Sequence, residues 1–102
     1  MYLEERLRLV NQARRRYATA MGSIALTLYS RPGCHLCDEM EEIVRPIARE
    51  LGCSLEDVDI SGDAGLEARF GHEVPVLVVN GRKAFKYRVT ERELRRRLRR
   101  EG

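Results

Sequence analysis

Hydrophobic positions change period along the chain, and each period predicts one element of secondary structure. In residues 24–30, IALTLYS, isoleucine and leucine alternate with alanine, threonine and tyrosine, which is typical of a strand covered on both faces. Residues 35–51 place apolar side chains three or four positions apart, which predicts a helix with one continuous apolar stripe. The breaker Arg31-Pro32-Gly33 separates the two elements.

The second half of the chain continues with strands and helices. A second strand over residues 53–60 is followed by a short helix over residues 63–70. Two β-rich runs, VPVLVV and RKAFKYRV, are joined by Asn80-Gly81, and Asn-Gly between such runs is typical of a hairpin. In the terminal stretch TERELRRRL, Thr90 and Glu93 have the spacing of a capping box, which predicts the start of a helix.

The predicted order is β-α-β-α-β-β-α, an α/β fold in which helices flank a four-stranded mixed sheet. The first strand, helix and second strand imply a parallel pair with a right-handed crossover. The hairpin then adds antiparallel strands to the same sheet. No internal repeat divides this pattern, so it predicts one compact domain.

Residues 1–22 stand apart from this pattern. Leu3, Leu7, Val10 and Tyr17 lie near helical spacing, which predicts an amphipathic N-terminal helical extension ahead of a domain over residues 23–102. The extension would dock on the domain or pair with a second copy. In the alternative interpretation, the functional domain begins near Met21 and the preceding residues are an appendage.

Composition and charge narrow the class of protein. The chain has 102 residues, of which 43% are hydrophobic and 34% charged, as in a soluble globular domain with its own core. No apolar run is long enough to predict a membrane span, and the N-terminus predicts no export signal, so we expect a cytoplasmic protein. Both ends are basic, but no aromatic residues interleave with the terminal arginines, so no nucleic-acid partner is predicted.

The candidate chemistry lies in the stretch SRPGCHLCDEM. Three cysteines are too few for a disulfide scaffold, and a close pair in a reducing compartment is more often catalytic or metal-binding. At a helix start, unpaired N–H groups and the helix dipole stabilise a thiolate at Cys34. Cys37 lies one turn later and can attack a mixed disulfide at Cys34. Cys53 occupies an apolar position, which predicts a thiol in the core.

The charged residues around the cysteine pair have opposite effects on a thiolate at Cys34. His35 and Arg31 supply positive charge that favours a thiolate at Cys34. Asp38 and Glu39 oppose it. The sequence therefore predicts a nucleophilic Cys34 without a magnitude for its activation.

The order strand, Pro-Gly turn, Cys-x-x-Cys, helix and later EVPVLVV makes residues 24–98 resemble a glutaredoxin-like member of the thioredoxin superfamily. The resemblance implies a thiol–disulfide oxidoreductase in which Val74-Pro75 is a cis peptide bond beside the cysteine pair. It also implies that the Val74 backbone meets an extended substrate or glutathione, and that Arg31 meets a glutathione carboxylate. We therefore predict Cys34 and Cys37 as catalytic residues and Arg31, His35, Val74 and Pro75 as substrate-binding residues.

The sequence also departs from the glutaredoxin pattern. Glutaredoxins commonly carry Cys-Pro-Tyr-Cys, whereas this chain has Cys34-His35-Leu36-Cys37. The Gly-Gly and Asp with which the family binds the γ-glutamyl end of glutathione are replaced here by Lys86-Tyr87-Arg88-Val89-Thr90. Redox activity is therefore better supported than glutathione dependence. We expect no bound cofactor. We expect glutathione or a protein thiol as the redox partner, and protein disulfides or glutathione mixed disulfides as the substrates.

Two other functions remain open at this point. The first is metal or iron–sulfur binding through Cys34, His35 and Cys37, or through a cluster that two subunits share at Cys34. A closed zinc site needs four ligands, and only Cys53 and His72 remain as soft candidates. The second is a non-enzymatic interaction module on a thioredoxin-like scaffold. His72 precedes the predicted cis proline, where it could assist proton transfer, but a solvated loop histidine is the preferred interpretation. The sequence predicts no oligomeric state.

Overall fold

The structure is a computed structural model that describes residues 24–101, so the predicted extension over residues 1–22 lies outside the described residues. The seven elements follow the predicted order β-α-β-α-β-β-α. They are β1 (Ala25–Ser30), α1 (His35–Leu51), β2 (Ser54–Asp59), α2 (Ala64–Phe70), β3 (Val76–Val79), β4 (Arg82–Lys86) and α3 (Glu91–Glu101). The strand order is β2-β1-β3-β4, in which β1 and β2 are parallel and the other neighbours antiparallel, so the predicted mixed sheet is confirmed.

Local sequence signals determine the turns and caps. Asn80 and Gly81 have φ values of 49° and 83°, the left-handed pair that a two-residue hairpin turn requires. At the start of α3, the Thr90 N–H donates to Glu93 Oε1 at 2.9 Å and the Glu93 N–H donates to Thr90 Oγ1 at 3.1 Å. The predicted hairpin and capping box are thus both confirmed.

Two apolar clusters pack on opposite faces of the sheet. The main core joins one face of β1 and β3 to α1 and α3; its buried members are Leu26, Leu28, Met40, Val44, Ile47, Ala48, Leu77, Val79, Val89, Leu94 and Leu98. A smaller cluster of Ile60, Phe70 and Val76 lies under α2, where the Tyr29 ring stacks on Phe70 at 4.4 Å between centroids. Covering both faces explains why β1 carries few strongly polar side chains.

The strand register positions the candidate site. Tyr29 of β1 pairs with Val76 of β3, and Val76 in turn pairs with Lys86 of β4. The end of β1, the start of β3 and the end of β4 therefore meet at one end of the sheet, called here the site end. The chain segments that carry Cys34, Pro75 and Tyr87 all leave the sheet there.

The length and hydropathy of the helices in residues 24–101 bear on membrane insertion. None of its helices is both long and apolar enough to cross a membrane.

Candidate active site

The cysteine pair lies at the junction of the loop after β1 and the first turn of α1. Cys34 is the N-cap of α1, and its Sγ accepts a hydrogen bond from the Cys37 N–H at 3.1 Å. Gly33 has a φ of 75°, a left-handed conformation that favours glycine and turns the chain into the helix. Cys34 and Cys37 form a disulfide whose Cα atoms are 5.2 Å apart.

The two sulfur atoms differ in accessibility. Cys34 is half-buried, whereas only 4% of Cys37 is exposed. This difference follows from helix geometry, because the N-cap stands at the surface while the next turn faces the core. A thiolate at Cys34 would be stabilised by the N–H groups of the first turn. The arrangement can present one sulfur to a reactant and keep the second in reserve.

His35 lies on the exposed side of the first turn. Its side chain is 88% exposed, and Nε2 lies 3.0 Å from Glu39 Oε2. The other oxygen of Glu39 lies 3.8 Å from Nη1 of Arg88, in the segment between β4 and α3. Glu39 therefore connects the helix that carries the cysteines to the segment after β4. The substrate-binding role of His35 stays a prediction.

Arg31 makes two contacts within the molecule. Its Nη1 donates to Glu67 Oε2 at 3.0 Å, and its Nη2 donates to the Gly71 carbonyl at 2.7 Å. About a third of the side chain is exposed. These contacts tie the loop before Cys34 to the end of α2. A substrate carboxylate would have to share the guanidinium with Glu67, and the predicted meeting with a glutathione carboxylate stays a prediction.

Substitutions at Arg31 and Glu67 separate these two contacts. We expect Arg31→Met to lower the free energy of unfolding by about 1–2 kcal/mol, because it removes both the ion pair and the hydrogen bond to the Gly71 carbonyl. Glu67→Gln should cost less than about 0.5 kcal/mol, because it keeps the Gly71 contact and removes a partly exposed ion pair. Urea unfolding of the oxidised protein measures both. Equal losses would show that the ion pair, and not the Gly71 contact, carries the stabilisation.

Val74-Pro75 is a cis peptide bond, as the resemblance implies. The Val74 N–H donates to the Phe70 carbonyl at 3.1 Å, and the Pro75 carbonyl accepts from the Tyr87 N–H at 2.8 Å. Among the described residues no backbone amide donates to the Val74 carbonyl. That carbonyl therefore has no main-chain donor of its own among the described residues. The substrate-binding roles of Val74 and Pro75 stay predictions.

Tyr87 is a residue that the sequence analysis did not single out as functional. It has a φ of 70°, and its phenol donates to the His72 carbonyl at 2.8 Å. Two hydrogen bonds from Tyr87 thus hold the segment from His72 to Pro75. The main chain of His72 therefore lies at the site end, while the His72 side chain is exposed. The sequence signal for Tyr87 was an aromatic residue in the segment where the resemblance leads one to expect Gly-Gly. Its left-handed backbone conformation could not be read from the sequence.

Several ionisable groups have pKa values shifted by their neighbours. The Lys83 ammonium, hydrogen-bonded at 2.6 Å, lowers the pKa of the Glu73 carboxyl, and Lys86 contributes from 3.7 Å. A hydrogen bond from the Ser61 N–H lowers the pKa of Asp59. Burial raises the pKa of the Cys53 thiol, which is half-buried and packs against the main core rather than inside it.

Metal binding requires several ligand side chains at one place. Among residues 24–101, no three His, Cys, Asp or Glu side chains form a group that could hold a metal ion. Cys53 precedes β2, at the opposite end of the sheet from Cys34, because Ser54 pairs with Ala25. Cys53 is therefore not brought to the cysteine pair.

Comparisons with known proteins extend over most of the described chain. A family model described as Glutaredoxin-like domain (DUF836) matches residues 25–99. An uncharacterized protein of Mycobacterium tuberculosis is 33% identical over 73 residues, which are 67% of this chain and 75% of that protein.

Solved structures are similar as well. The X-ray structure of a structural genomics target protein from X. campestris has 37% sequence identity and a TM-score of 0.60, covering 74% of this chain and 96% of that chain. A thioredoxin variant from Halobacterium salinarum has 19% identity and a TM-score of 0.60, covering 78% of this chain and 75% of its own. The latter likeness concerns the fold alone.

Proposed function

Because the chain belongs to the glutaredoxin-like domain family and has a thioredoxin-like fold, we propose that it is a thiol–disulfide oxidoreductase acting through Cys34 and Cys37. One observation carries the proposal. A half-buried cysteine at a helix N-cap is joined to a buried cysteine one turn later. This pairing provides an accessible nucleophile and an internal thiol that can complete the exchange.

The proposed reaction consists of two exchanges. The Cys34 thiolate attacks one sulfur of a substrate disulfide, forms a mixed disulfide and releases the first substrate thiol, which takes up a proton. The Cys37 thiol loses its proton and attacks the Cys34 sulfur, so the Cys34–Cys37 disulfide forms and the second substrate thiol leaves. The substrate gains two electrons from the two cysteines and takes up two protons; one balances the proton lost by the Cys37 thiol, and the other comes from solvent, which received it when Cys34 ionised. A cellular thiol, either glutathione or a protein dithiol, then reduces the protein disulfide.

Protein disulfides are the substrate class that the site supports better. The Arg31 guanidinium already binds Glu67 and the Gly71 carbonyl, so a glutathione carboxylate would compete for it. The Val74 carbonyl can instead accept a main-chain amide of an extended polypeptide. Glutathione mixed disulfides remain a second substrate within the proposal. We place the reaction in the cytoplasm, where the reductant is available, with His35 and Pro75 lining the substrate groove.

The reduction potential of the Cys34–Cys37 pair tests this function. Purified protein is equilibrated in glutathione buffers, quenched in denaturant and assayed for free thiols. We expect a two-electron transition between about −270 and −120 mV, the span of characterised Cys-x-x-Cys oxidoreductases. The thiol count should fall from three to one, because Cys53 stays free.

Cys34→Ser is the matched control for this titration, and it should show no intramolecular transition. Absence of a disulfide in the wild type across the range would contradict the proposal. So would stoichiometric zinc or iron that must be removed before the thiols react.

A further inference from the structure

Tyr87 has a backbone conformation that tyrosine rarely adopts. A non-glycine residue with a φ of 70° is strained, and such strain persists only where the surroundings hold it. Here the Tyr87 N–H donates to the Pro75 carbonyl and its phenol donates to the His72 carbonyl, each at 2.8 Å. The ring is therefore held against the segment that contains the cis peptide bond. Strained backbone conformations cluster at functional sites.

The Tyr87 ring is also one of the few exposed apolar groups. Of the described residues, two large hydrophobic side chains are exposed, Leu51 at 47% and Tyr87 at 42%. Leu51 is the last residue of α1, at the end of the helix away from Cys34, whereas Tyr87 lies at the site end. Lys86 Nζ lies 5.5 Å from the centre of the Tyr87 ring, a cation–π contact that helps to keep the ring in place. The site end thus presents a rigid aromatic surface to solvent.

Strand spacing estimates how far apart the chain segments that lead to Cys34 and to Tyr87 leave the sheet. Along the sheet, β3 lies between β1, which leads to Cys34, and β4, which leads to Tyr87. Neighbouring strands are about 4.8 Å apart, so the end of β4 is about 10 Å from the end of β1. An extended chain advances about 3.3 Å per residue. An extended substrate that runs across the site end therefore spans the gap between these two strand ends with about three residues.

We propose that Tyr87 forms a subsite for an apolar side chain of an extended polypeptide disulfide, about three residues from the cysteine that Cys34 attacks. This inference rests on the proposed oxidoreductase function and names its substrate class. The ring supplies a preordered contact surface, since its conformation is held by the contacts to Pro75 and His72 before any substrate arrives. The Val74 carbonyl, between Cys34 and Tyr87, accepts a hydrogen bond from the same substrate backbone.

Two pairs of blocked peptides, one pair for each placement of the test residue, test the subsite. The two peptides of a pair are identical except for Phe or Ser at the third residue from a single cysteine, and each is used as its symmetric disulfide dimer so that attack on either sulfur gives the same product. Both placements, N-terminal and C-terminal of the cysteine, are made. Reduced wild-type protein should reduce the Phe dimer about fivefold faster than the Ser dimer in one placement, as expected for an aromatic contact. Chromatography of acid-quenched samples measures the released peptide thiol.

Three variants assign the preference to the ring. Tyr87→Asn removes the ring while tolerating a positive φ, so the ratio of Phe to Ser rates should fall to about one. Tyr87→Phe keeps the ring and the main-chain bond to Pro75 but loses the bond to His72, so it should keep a preference for the Phe dimer, at a ratio between those of the wild type and Tyr87→Asn. Leu51→Ala, the matched change at the other exposed hydrophobic residue, should keep the wild-type ratio. If Tyr87→Asn does not fold, Tyr87→Gly takes its place, because glycine adopts the same conformation without strain.

The outcomes separate this inference from the proposed function. Equal rates for the Phe and Ser dimers in wild type would overturn the subsite at Tyr87, and so would a preference that survives Tyr87→Asn. If the dimers are reduced in either case, the oxidoreductase function stands. If the wild type reduces neither the peptide dimers nor bis(2-hydroxyethyl) disulfide, the oxidoreductase function itself fails.

Discussion

Cys34→Ser should lower the rate of disulfide reduction more than roughly a thousandfold, because a serine hydroxyl cannot replace a thiolate as the nucleophile. Cys37→Ser should behave differently. It retains the half-buried Cys34, so it should form a mixed disulfide with the substrate and then stop. The difference follows from accessibility, since 4% of Cys37 is exposed.

Mass spectrometry of the two variants after incubation with bis(2-hydroxyethyl) disulfide measures this directly. Reduced Cys37→Ser should carry one mercaptoethanol adduct on Cys34, and Cys34→Ser should carry none on Cys37 at the same time point. Cys53→Ser is the control and should react like the wild type, because Cys53 lies before β2 and away from the site end. Adducts forming equally fast in both single variants would show that the two cysteines do not have separate roles.

Leu28→Ala should lower the free energy of unfolding by about 3 kcal/mol, from lost burial together with the cavity left in the main core. Leu28 is 0% exposed, and it pairs with Leu77 of β3 at the centre of the sheet. For a domain of this size the loss corresponds to a decrease in Tm of about 15 °C. The pairing of β1 with β3 that includes Leu28 also positions the site end. Activity of the variant should therefore fall on warming as its folded fraction falls.

Urea unfolding of the oxidised variants measures the effect, and Leu51→Ala provides the matched control. Leu51 is 47% exposed at the end of α1, so its truncation should change the free energy of unfolding by less than about 0.5 kcal/mol. Similar losses in the two variants would contradict the assignment of Leu28 to the core that carries the stability.

The local features of this protein were predictable because each depends on neighbouring residues. The stripe of α1 and the Asn80-Gly81 turn are patterns within a few positions, and so is the capping box of Thr90 and Glu93. The cysteine pair belongs to the same class, since its spacing and the following helix place one sulfur at the N-cap. The cis bond at Val74-Pro75 was predicted from the resemblance and not from spacing.

The partners of the site residues could not be predicted in this way. Arg31 meets Glu67 and Gly71, which are 36 and 40 positions later in the chain. Tyr87 bonds His72 across 15 positions and adopts a conformation that its residue type disfavours. Such contacts depend on how α2 and the segment after β4 pack on the sheet, which no local pattern specifies.

The sequence by itself determined the order of the elements, the starts of the helices and the position of Cys34 at a helix start, because these depend on side-chain period and on caps within one turn. Only the tertiary structure decided which groups lie together at the site end. The pairing of Tyr29 with Val76 places Pro75 beside the loop to Cys34, and the pairing of Val76 with Lys86 brings Tyr87 next to both. Register between distant strands is set by burial of the whole core, so it exists only once the chain has folded.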